Sequence, residues 1–268
     1  CLGGDCRIAA VGVGSDGLIV RSLGENFGTS WAAQESGVTT HLKAVHSLPS
    51  GHAVAVGDNG VATHYDGVTW TPISTGSANA LEGVYMFAPN DIFAVGWYQV
   101  RRFDGTKWNQ MNGNTSKNLR GVWGSSPDDV WAVGNFGQVI RYNGNFWQTV
   151  PTGTTQNLRA VWGSGPDDVF IVGEKGTILH WDGVEMLPME IDSEHTLEAV
   201  WGSAADDVYA VGARGTIFRY DGTQWLDESP ADYDATFLAV AGADGNVVTS
   251  GTHELILGPM IEVPENIS

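Results

Sequence analysis

Basic residues are scarce in this sequence. Only 13 Lys and Arg stand against 31 Asp and Glu, which gives a formal net charge of −18 at pH 7. A protein that neutralises nucleic-acid phosphates needs clustered Lys and Arg, and an anionic membrane surface makes the same demand. We therefore expect neither nucleic acid nor an anionic lipid surface as a partner.

Long apolar runs and cysteines are also few. No stretch approaches the roughly 18 residues of a transmembrane helix, so the protein is not expected to be transmembrane. The only cysteines are Cys1 and Cys6. Their spacing favours a small disulfide, and the alternative is a lipid anchor at Cys1, as in bacterial lipoproteins. Either modification predicts an extracytoplasmic protein, secreted or associated with the cell surface.

Recognisable catalytic motifs are missing. The sequence has no nucleophile elbow, zinc-protease helix, phosphate-binding loop or dinucleotide fingerprint. We therefore predict a protein that is not an enzyme and that needs no cofactor and no metal.

Repetition is the dominant feature of what is present. A glycine after a short apolar run recurs at intervals of 38 or 39 residues, following a first interval of 45. These glycines are Gly12, Gly57, Gly96, Gly134, Gly173, Gly212 and Gly251. Each repeat holds about four runs of β-branched and aromatic residues separated by Gly, Pro, Asn and Asp, the pattern of short strands and tight turns.

Repeats of about 40 residues with four strands are typical of propeller blades. The sequence predicts an all-β protein, a seven-bladed β-propeller of four-stranded antiparallel blades, as a single domain over residues 1–268. A small residue recurs where the inner strands approach the axis: Ala44, Gly83, Gly121, Ala160, Ala199 and Ala239. Cys1 aligns with Trp123, so it stays open whether the first blade lacks its inner strand.

The repeat VWGSxxDDVxAVGxxGxIxxYDGxxW is seen best in HYDGVTW (64–70) and RYDGTQW (219–225). It resembles propeller repeats of secreted or surface proteins from myxobacteria and related bacteria. It is also distantly similar to Asp-box (BNR-type) propellers, which occur in sialidase-like enzymes and photosystem II assembly factors. It departs from the Asp-box, which begins with Ser or Thr and spaces Asp and Trp one residue further apart. The resemblance covers nearly the whole sequence and implies the fold, but it transfers no chemistry.

Residues that recur in most repeats are expected to be structural. Asp129, Asp168 and Asp207 of the DDV turns are expected to accept backbone hydrogen bonds rather than to hold calcium. A basic residue stands two positions before the next turn in five repeats, and it is expected to pair with a turn carboxylate of its own or a neighbouring blade. These residues are His64, Arg102, Arg141, His180 and Arg219.

The repeats differ at the loop into the first strand and at the turn between the second and third strands, which emerge on one face. Charged residues there predict a mixed-charge ring at the channel mouth, which binds a polar ligand or pairs with itself. The turns add aromatic and charged side chains, the usual composition of a contact surface. The predicted binding residues are Lys43, Glu82, Trp97, Tyr98, Arg120, Phe136, Arg159, Glu174, Lys175, Glu198 and Arg214.

Three functions follow from this face. The first is a binding or scaffolding module for a protein partner, and the alternative is a lectin-like module that stacks a surface glycan on the same aromatic rings. A glycosidase-like site in the funnel, with a carboxylate pair such as Glu82 and Glu198, ranks third. Two acidic loops on this face, residues 189–195 and 227–234, leave open whether a cation binds between them.

Overall fold

The computed structural model describes residues 10–23, 30–231, 233–243, 246–251 and 255–256. The predicted disulfide or lipid site at Cys1 and Cys6 lies outside these residues. So does the last turn between second and third strands, at 252–254.

The described residues form 26 strands in seven antiparallel sheets that follow one another along the sequence. Blade 1 consists of β1 (Val11–Val13), β2 (Ile19–Leu23) and β3 (Ser30–Gln34). Blade 2 consists of β4 (Leu42–Ser47), β5 (Ala53–Gly57), β6 (Ala62–Tyr65) and β7 (Trp70–Pro72). Blade 3 consists of β8 (Leu81–Ala88), β9 (Asp91–Gly96), β10 (Gln99–Phe103) and β11 (Trp108–Met111). Blade 4 consists of β12 (Leu119–Ser126), β13 (Asp129–Gly134), β14 (Val139–Tyr142) and β15 (Trp147–Thr149).

The remaining blades repeat this order. Blade 5 consists of β16 (Leu158–Gly165), β17 (Asp168–Gly173), β18 (Ile178–Trp181) and β19 (Met186–Met189). Blade 6 consists of β20 (Leu197–Ala204), β21 (Asp207–Gly212), β22 (Ile217–Tyr220) and β23 (Trp225–Asp227). Blade 7 consists of β24 (Phe237–Ala243), β25 (Asn246–Gly251) and β26 (Leu255–Ile256).

This arrangement confirms the predicted seven-bladed β-propeller. Blades 2–6 each have four strands, and the inner strands β4, β8, β12, β16, β20 and β24 pack against one another in sequence order. Within the described ranges, blade 1 has three strands, which occupy the second, third and fourth positions of a blade. Blade 7 also has three there, at the first, second and third positions.

The core lies between neighbouring blades. The second strand of blades 2–6 is covered on both faces, so it is continuously apolar rather than alternating. In β13, every residue from Val130 to Gly134 is buried. One cluster joins Phe93 and Val95 of blade 3 to Val122 and Ile140 of blade 4. Each blade therefore completes the core of the next. A single repeat could not bury its own apolar faces, so the sequence contains several repeats.

A repeated ion pair lies near the turns between the first and second strands. The expected pairing of the basic residue with a carboxylate of its own blade is confirmed in four blades. The pairs are Arg102–Asp91, Arg141–Asp129, His180–Asp168 and Arg219–Asp207, with 2.5–2.7 Å between nitrogen and oxygen. His64 is the exception, because His52 stands where these blades have Asp.

The expectation of backbone hydrogen bonds to the DDV aspartates was wrong. These carboxylates accept from a Ser hydroxyl four residues earlier, as in the 2.6 Å bond from Ser125 Oγ to Asp129 Oδ2. The same bond occurs from Ser164 to Asp168 and from Ser203 to Asp207. The basic side chain donates to the other carboxylate oxygen, so both oxygens of the carboxylate accept hydrogen bonds from side chains.

Candidate functional site

The variable loops lie together on one face, as expected. In blades 2–6 the turn between the second and third strands (the 2–3 turn) is hydrogen-bonded to the linker that leads into the inner strand of the same blade. The amide of Asn135 donates to the carbonyl of Asn118 at 2.9 Å, and that of Glu174 donates to Asn157 at 2.9 Å. We call the surface formed by the 2–3 turns and the linkers the loop face.

Most 2–3 turns share one backbone geometry. In blade 4 the amide of Gln138 donates to the carbonyl of Asn135 at 3.3 Å. The two residues between them, Phe136 and Gly137, have φ of 60° and 66°. Positive φ at both central positions defines a type I′ turn, which Asn-Gly and Asp-Gly favour. Gly137 is required for a second reason, because a Cβ there would meet the carbonyl oxygen of Thr154 at 2.0 Å.

Large side chains occupy a left-handed position in four consecutive blades: the first of the two in blades 4–6, and the single left-handed residue of the shorter turn in blade 3. Blades 1 and 2 have Asp16 and Asn59, residues that tolerate this conformation. Blades 3–6 have residues that do not favour it: Tyr98, Phe136, Lys175 and Arg214, with φ between 53° and 60°.

These side chains project from the surface. Tyr98 is 60% exposed, Phe136 is 65% exposed and the neighbouring Trp97 is 48% exposed. The Lys117 ammonium lies 4.8 Å from the centre of the Phe136 ring, a cation–π distance. The amide of Phe136 donates to Asn157 Oδ1 at 3.0 Å, which ties the turn to the following linker.

Each residue of the predicted ring lies at a β-bulge. The pairing between the first and second strands of blades 2–7 skips the second residue of the inner strand. A bulge leaves one residue without a cross-strand partner and re-aims its side chain. The skipped residues are Lys43, Glu82, Arg120, Arg159, Glu198 and Leu238.

Lys43 is held by two carboxylates. Its Nζ lies 3.2 Å from Asp58 Oδ1 in the 2–3 turn of its own blade and 2.9 Å from Glu82 Oε1 in the next blade. Burial lowers the pKa of Lys43, but the hydrogen bonds to Glu82 and Asp58 outweigh it and raise this pKa above the usual value. Glu82 Oε1 also accepts from Trp97 Nε1 at 3.1 Å, which orients the indole.

Arg159 repeats this arrangement three blades further on. Its Nη2 lies 2.7 Å from Glu174 Oε1 in its own 2–3 turn, and its Nε lies 3.7 Å from Glu198 Oε2 in the next blade. Glu174 also accepts from Asn157 Nδ2 at 3.0 Å. Glu82 of blade 3 is thus hydrogen-bonded to Lys43, whereas Glu198 of blade 6 lies at ion-pair distance from Arg159 without a hydrogen bond to its Nε.

Arg120 differs from the other two ring cations. Its Nε donates to the neutral amide oxygen Asn135 Oδ1 at 2.8 Å. Across the described part of the protein, no carboxylate lies within 4.0 Å of its guanidinium. Arg120 and the exposed Lys117 therefore place two cations beside Phe136.

The predicted site residues thus fall into three groups. The structure brings Lys43 and Glu82 together, and separately Arg159, Glu174 and Glu198. Arg120, Trp97 and Tyr98 lie beside the same arc of 2–3 turns as Phe136, and Lys175 and Arg214 continue that arc in blades 5 and 6. Sequence reasoning missed Lys117, the bulges and the left-handed backbone. The Asn-Gly and Asp-Gly pairs of blades 1 and 2 were the signal for the last of these.

The acidic loop at 189–195 lines an open cavity of about 630 Å³ together with Lys175 and Gly176. Its charged side chains do not converge, since no three His, Cys, Asp or Glu residues gather as metal ligands in the ranges that the structure covers.

No helix in the described ranges reaches the length and hydrophobicity needed to cross a bilayer.

Neither a protein-family model nor a curated protein matches this sequence. Solved structures do resemble it. A structure of YCF48 bound to D1 peptide has a TM-score of 0.73 and 13% identity, over 96% of this chain and 89% of that one. YCF48 from Cyanidioschyzon merolae has a TM-score of 0.72 and 12% identity, over 92% and 90%. The RRP9 WD40 repeats have a TM-score of 0.76 and 9% identity, over 92% and 84%. At such identities the likeness concerns the fold alone.

Proposed function

We propose that this propeller is a non-catalytic binding module whose loop face recognises a protein partner across blades 3–6. One observation carries the proposal: exposed side chains stand in left-handed backbone at successive 2–3 turns. The binding residues are the aromatic anchors Trp97, Tyr98 and Phe136, followed along the arc by the cations Lys175 and Arg214.

The backbone conformation of these residues has an energetic cost. A left-handed conformation costs an L-residue about 1–2 kcal/mol, and Asn or Asp reduces that cost through local hydrogen bonds. At Phe136 the Lys117 cation and the bond from the backbone amide to Asn157 offset part of it. Among the described residues, the side chains of Lys175 and Arg214 make no hydrogen bond or ion pair that would do so. Strained backbone of this kind clusters at functional sites such as ligand clamps, which is why it favours a binding role for these turns.

The chemistry of the arc suits a protein surface. Aromatic side chains with few rotamers supply the energetic anchors of interfaces, and Arg is enriched beside them. The YCF48 structure contains a bound D1 peptide, so a propeller of similar shape accommodates a peptide. The extracytoplasmic location is kept as part of the proposal, and it rests on Cys1 and Cys6 alone.

The test is selection of a displayed random-peptide library on the wild-type protein, followed by rebinding to two variants. The face variant carries Tyr98→Asn and Phe136→Asn, which the strain argument predicts to fold at least as well as the wild type. The control carries Val68→Asn and Val184→Asn, two residues that are 81% exposed at 3–4 turns.

We expect the selected peptides to bind the control and to lose at least tenfold in affinity for the face variant. Equal binding to both variants contradicts the proposal. The lectin-like function is favoured over the proposed one if no peptide can be selected and if the protein binds a glycan on an array and Trp97→Ala abolishes that binding.

A further inference from the structure

We propose that Arg120 binds a carboxylate of the protein partner. The other two cations of the ring are each paired with two acidic residues of this protein, and both of those acids are replaced around Arg120. The inference deepens the proposed function and rests on it. It follows from comparing the three ring cations, Lys43, Arg120 and Arg159, in their equivalent places at the bulge.

The other two cations define a repeated cradle. In each, one carboxylate stands directly after the glycine that ends the second strand, and the other stands at the ring position of the next blade. For Lys43 these are Asp58 and Glu82. For Arg159 they are Glu174 and Glu198.

Both acids are replaced around Arg120. The residue after the glycine of blade 4 is Asn135, and the ring residue of blade 5 is the cation Arg159. Arg120 therefore meets one neutral oxygen, and its two Nη nitrogens make no hydrogen bond with any residue that the structure describes. A guanidinium presents these nitrogens as a planar fork that matches a carboxylate.

The linkers that flank blade 4 also lack acidic residues, and the nearest carboxylate of the neighbouring 2–3 turn, Glu174, is already paired with Arg159 and Asn157. The linkers on either side of its 2–3 turn, residues 112–118 and 150–157, contain no Asp or Glu. By contrast, the linkers at 190–196 and 228–236 contain three each. An incoming anion at blade 4 thus meets Arg120 and Lys117 without a competing carboxylate in the adjoining linkers.

Phe136 completes the site. Asn135, which holds Arg120, directly precedes Phe136, and Lys117 lies over the Phe136 ring. The site therefore fits a carboxylate next to an apolar or aromatic side chain. That carboxylate belongs either to an Asp or Glu side chain or to the C-terminus of a polypeptide, and both present the same two oxygens.

The decisive variant is Asn135→Asp, because it gives Arg120 a carboxylate of the protein itself, which competes with the carboxylate of the partner. The new carboxylate would lie at the Asn135 position, 2.8 Å from Arg120 Nε. We expect the variant to fold and to raise Tm by about 1–3 °C, as an ion pair of modest strength does. Loss of binding in this variant is then not due to misfolding.

Three probes separate the sources of the carboxylate: acetyl-Phe-Phe with a free C-terminus, acetyl-Phe-Glu-amide, and acetyl-Phe-Gln-amide. Binding is measured by NMR at the backbone amide resonances of Phe136 and Gly137, which all the variants of this experiment retain. We expect at least one carboxylate probe to bind at least fivefold more tightly than the Gln probe. We expect Asn135→Asp and Arg120→Gln to abolish that preference, and Lys107→Gln, an exposed cation of the 3–4 turn, to preserve it.

Equal binding of all three probes, or a preference that survives Asn135→Asp, contradicts the inference. The library-selected peptides distinguish this failure from failure of the proposed function. If Phe136→Asn abolishes their binding and Asn135→Asp does not, the loop face binds proteins without a carboxylate at Arg120. If neither the face variant with Tyr98→Asn and Phe136→Asn nor Asn135→Asp weakens them, both the inference and the proposed function are wrong.

Discussion

Replacing the strained cations of the loop face by asparagine should stabilise the protein. Lys175 and Arg214 have φ of 53° and 56° and are followed by Gly176 and Gly215 at φ of 63° and 68°. Asn at both positions creates Asn-Gly type I′ turns, the favoured sequence for this geometry. Within the described residues neither side chain makes a hydrogen bond or an ion pair that the substitution would remove.

The expected gain can be worked from the backbone alone. Of the roughly 1–2 kcal/mol that a left-handed L-residue costs, Asn recovers about half, or about 0.5–1 kcal/mol per site. The two turns lie in different blades, so their effects add to about 1–2 kcal/mol. At a urea slope of about 3 kcal/mol/M, the unfolding midpoint should rise by about 0.3–0.7 M.

The matched control is the reverse change in blade 2. Asn59→Lys places a cation at φ of 57° and should lower the free energy of unfolding by about 0.5–1 kcal/mol. The assay is urea unfolding followed by tryptophan fluorescence and circular dichroism. An unchanged midpoint in the double variant, together with no loss in Asn59→Lys, would refute the strain argument on which the proposed function depends.

Two further predictions concern the fold. Burial lowers the pKa of His64 to about 4, and its Nε2 is buried without a hydrogen-bond partner among the described residues. The folded state therefore resists protonation, and stability on the order of 3 kcal/mol is lost as pH falls from about 6.5 to about 4. Burial also lowers the pKa of His46 to about 4, so unfolding curves of His64→Phe should show a smaller loss than the wild type but keep the contribution of His46. A profile identical to the wild type would contradict this assignment. Gly176→Ala places a Cβ 2.0 Å from the Ser193 carbonyl oxygen, whereas Gly153→Ala, at a similar φ, meets nothing within 4 Å. Calorimetry should show a Tm loss for Gly176→Ala at least twice that for Gly153→Ala, and equal losses would exclude the close contact as the cause.

The blade architecture could be predicted because it depends on repetition and turn chemistry. The anchor glycines and the YDG turns set the register of every blade, and the ion pair from Arg141 to Asp129 followed from its recurrence. His64 shows the limit, because recurrence predicts the pair for every blade, whereas His52 replaces the Asp that would pair with His64.

The site was less predictable for two physical reasons. A bulge is a mismatch between two strands, so no single strand reveals that Arg120 is turned out of the ladder. Backbone strain at Phe136 depends on φ, and a Phe in a loop looks like any exposed aromatic residue until that angle is known. The sequence did place the variable residues on one face, but the two acids missing around Arg120 emerged only when the cradles of Lys43 and Arg159 were compared.

The central claim is that a protein partner binds the loop face across blades 3–6, and hydrogen–deuterium exchange with a library-selected peptide tests it most directly. We predict slower exchange at the 2–3 turns, residues 96–99, 134–138 and 173–177, and no change at the 3–4 turns, residues 104–107, 143–146 and 182–185. Protection confined to the 3–4 turns would contradict the claim and assign binding to the opposite face.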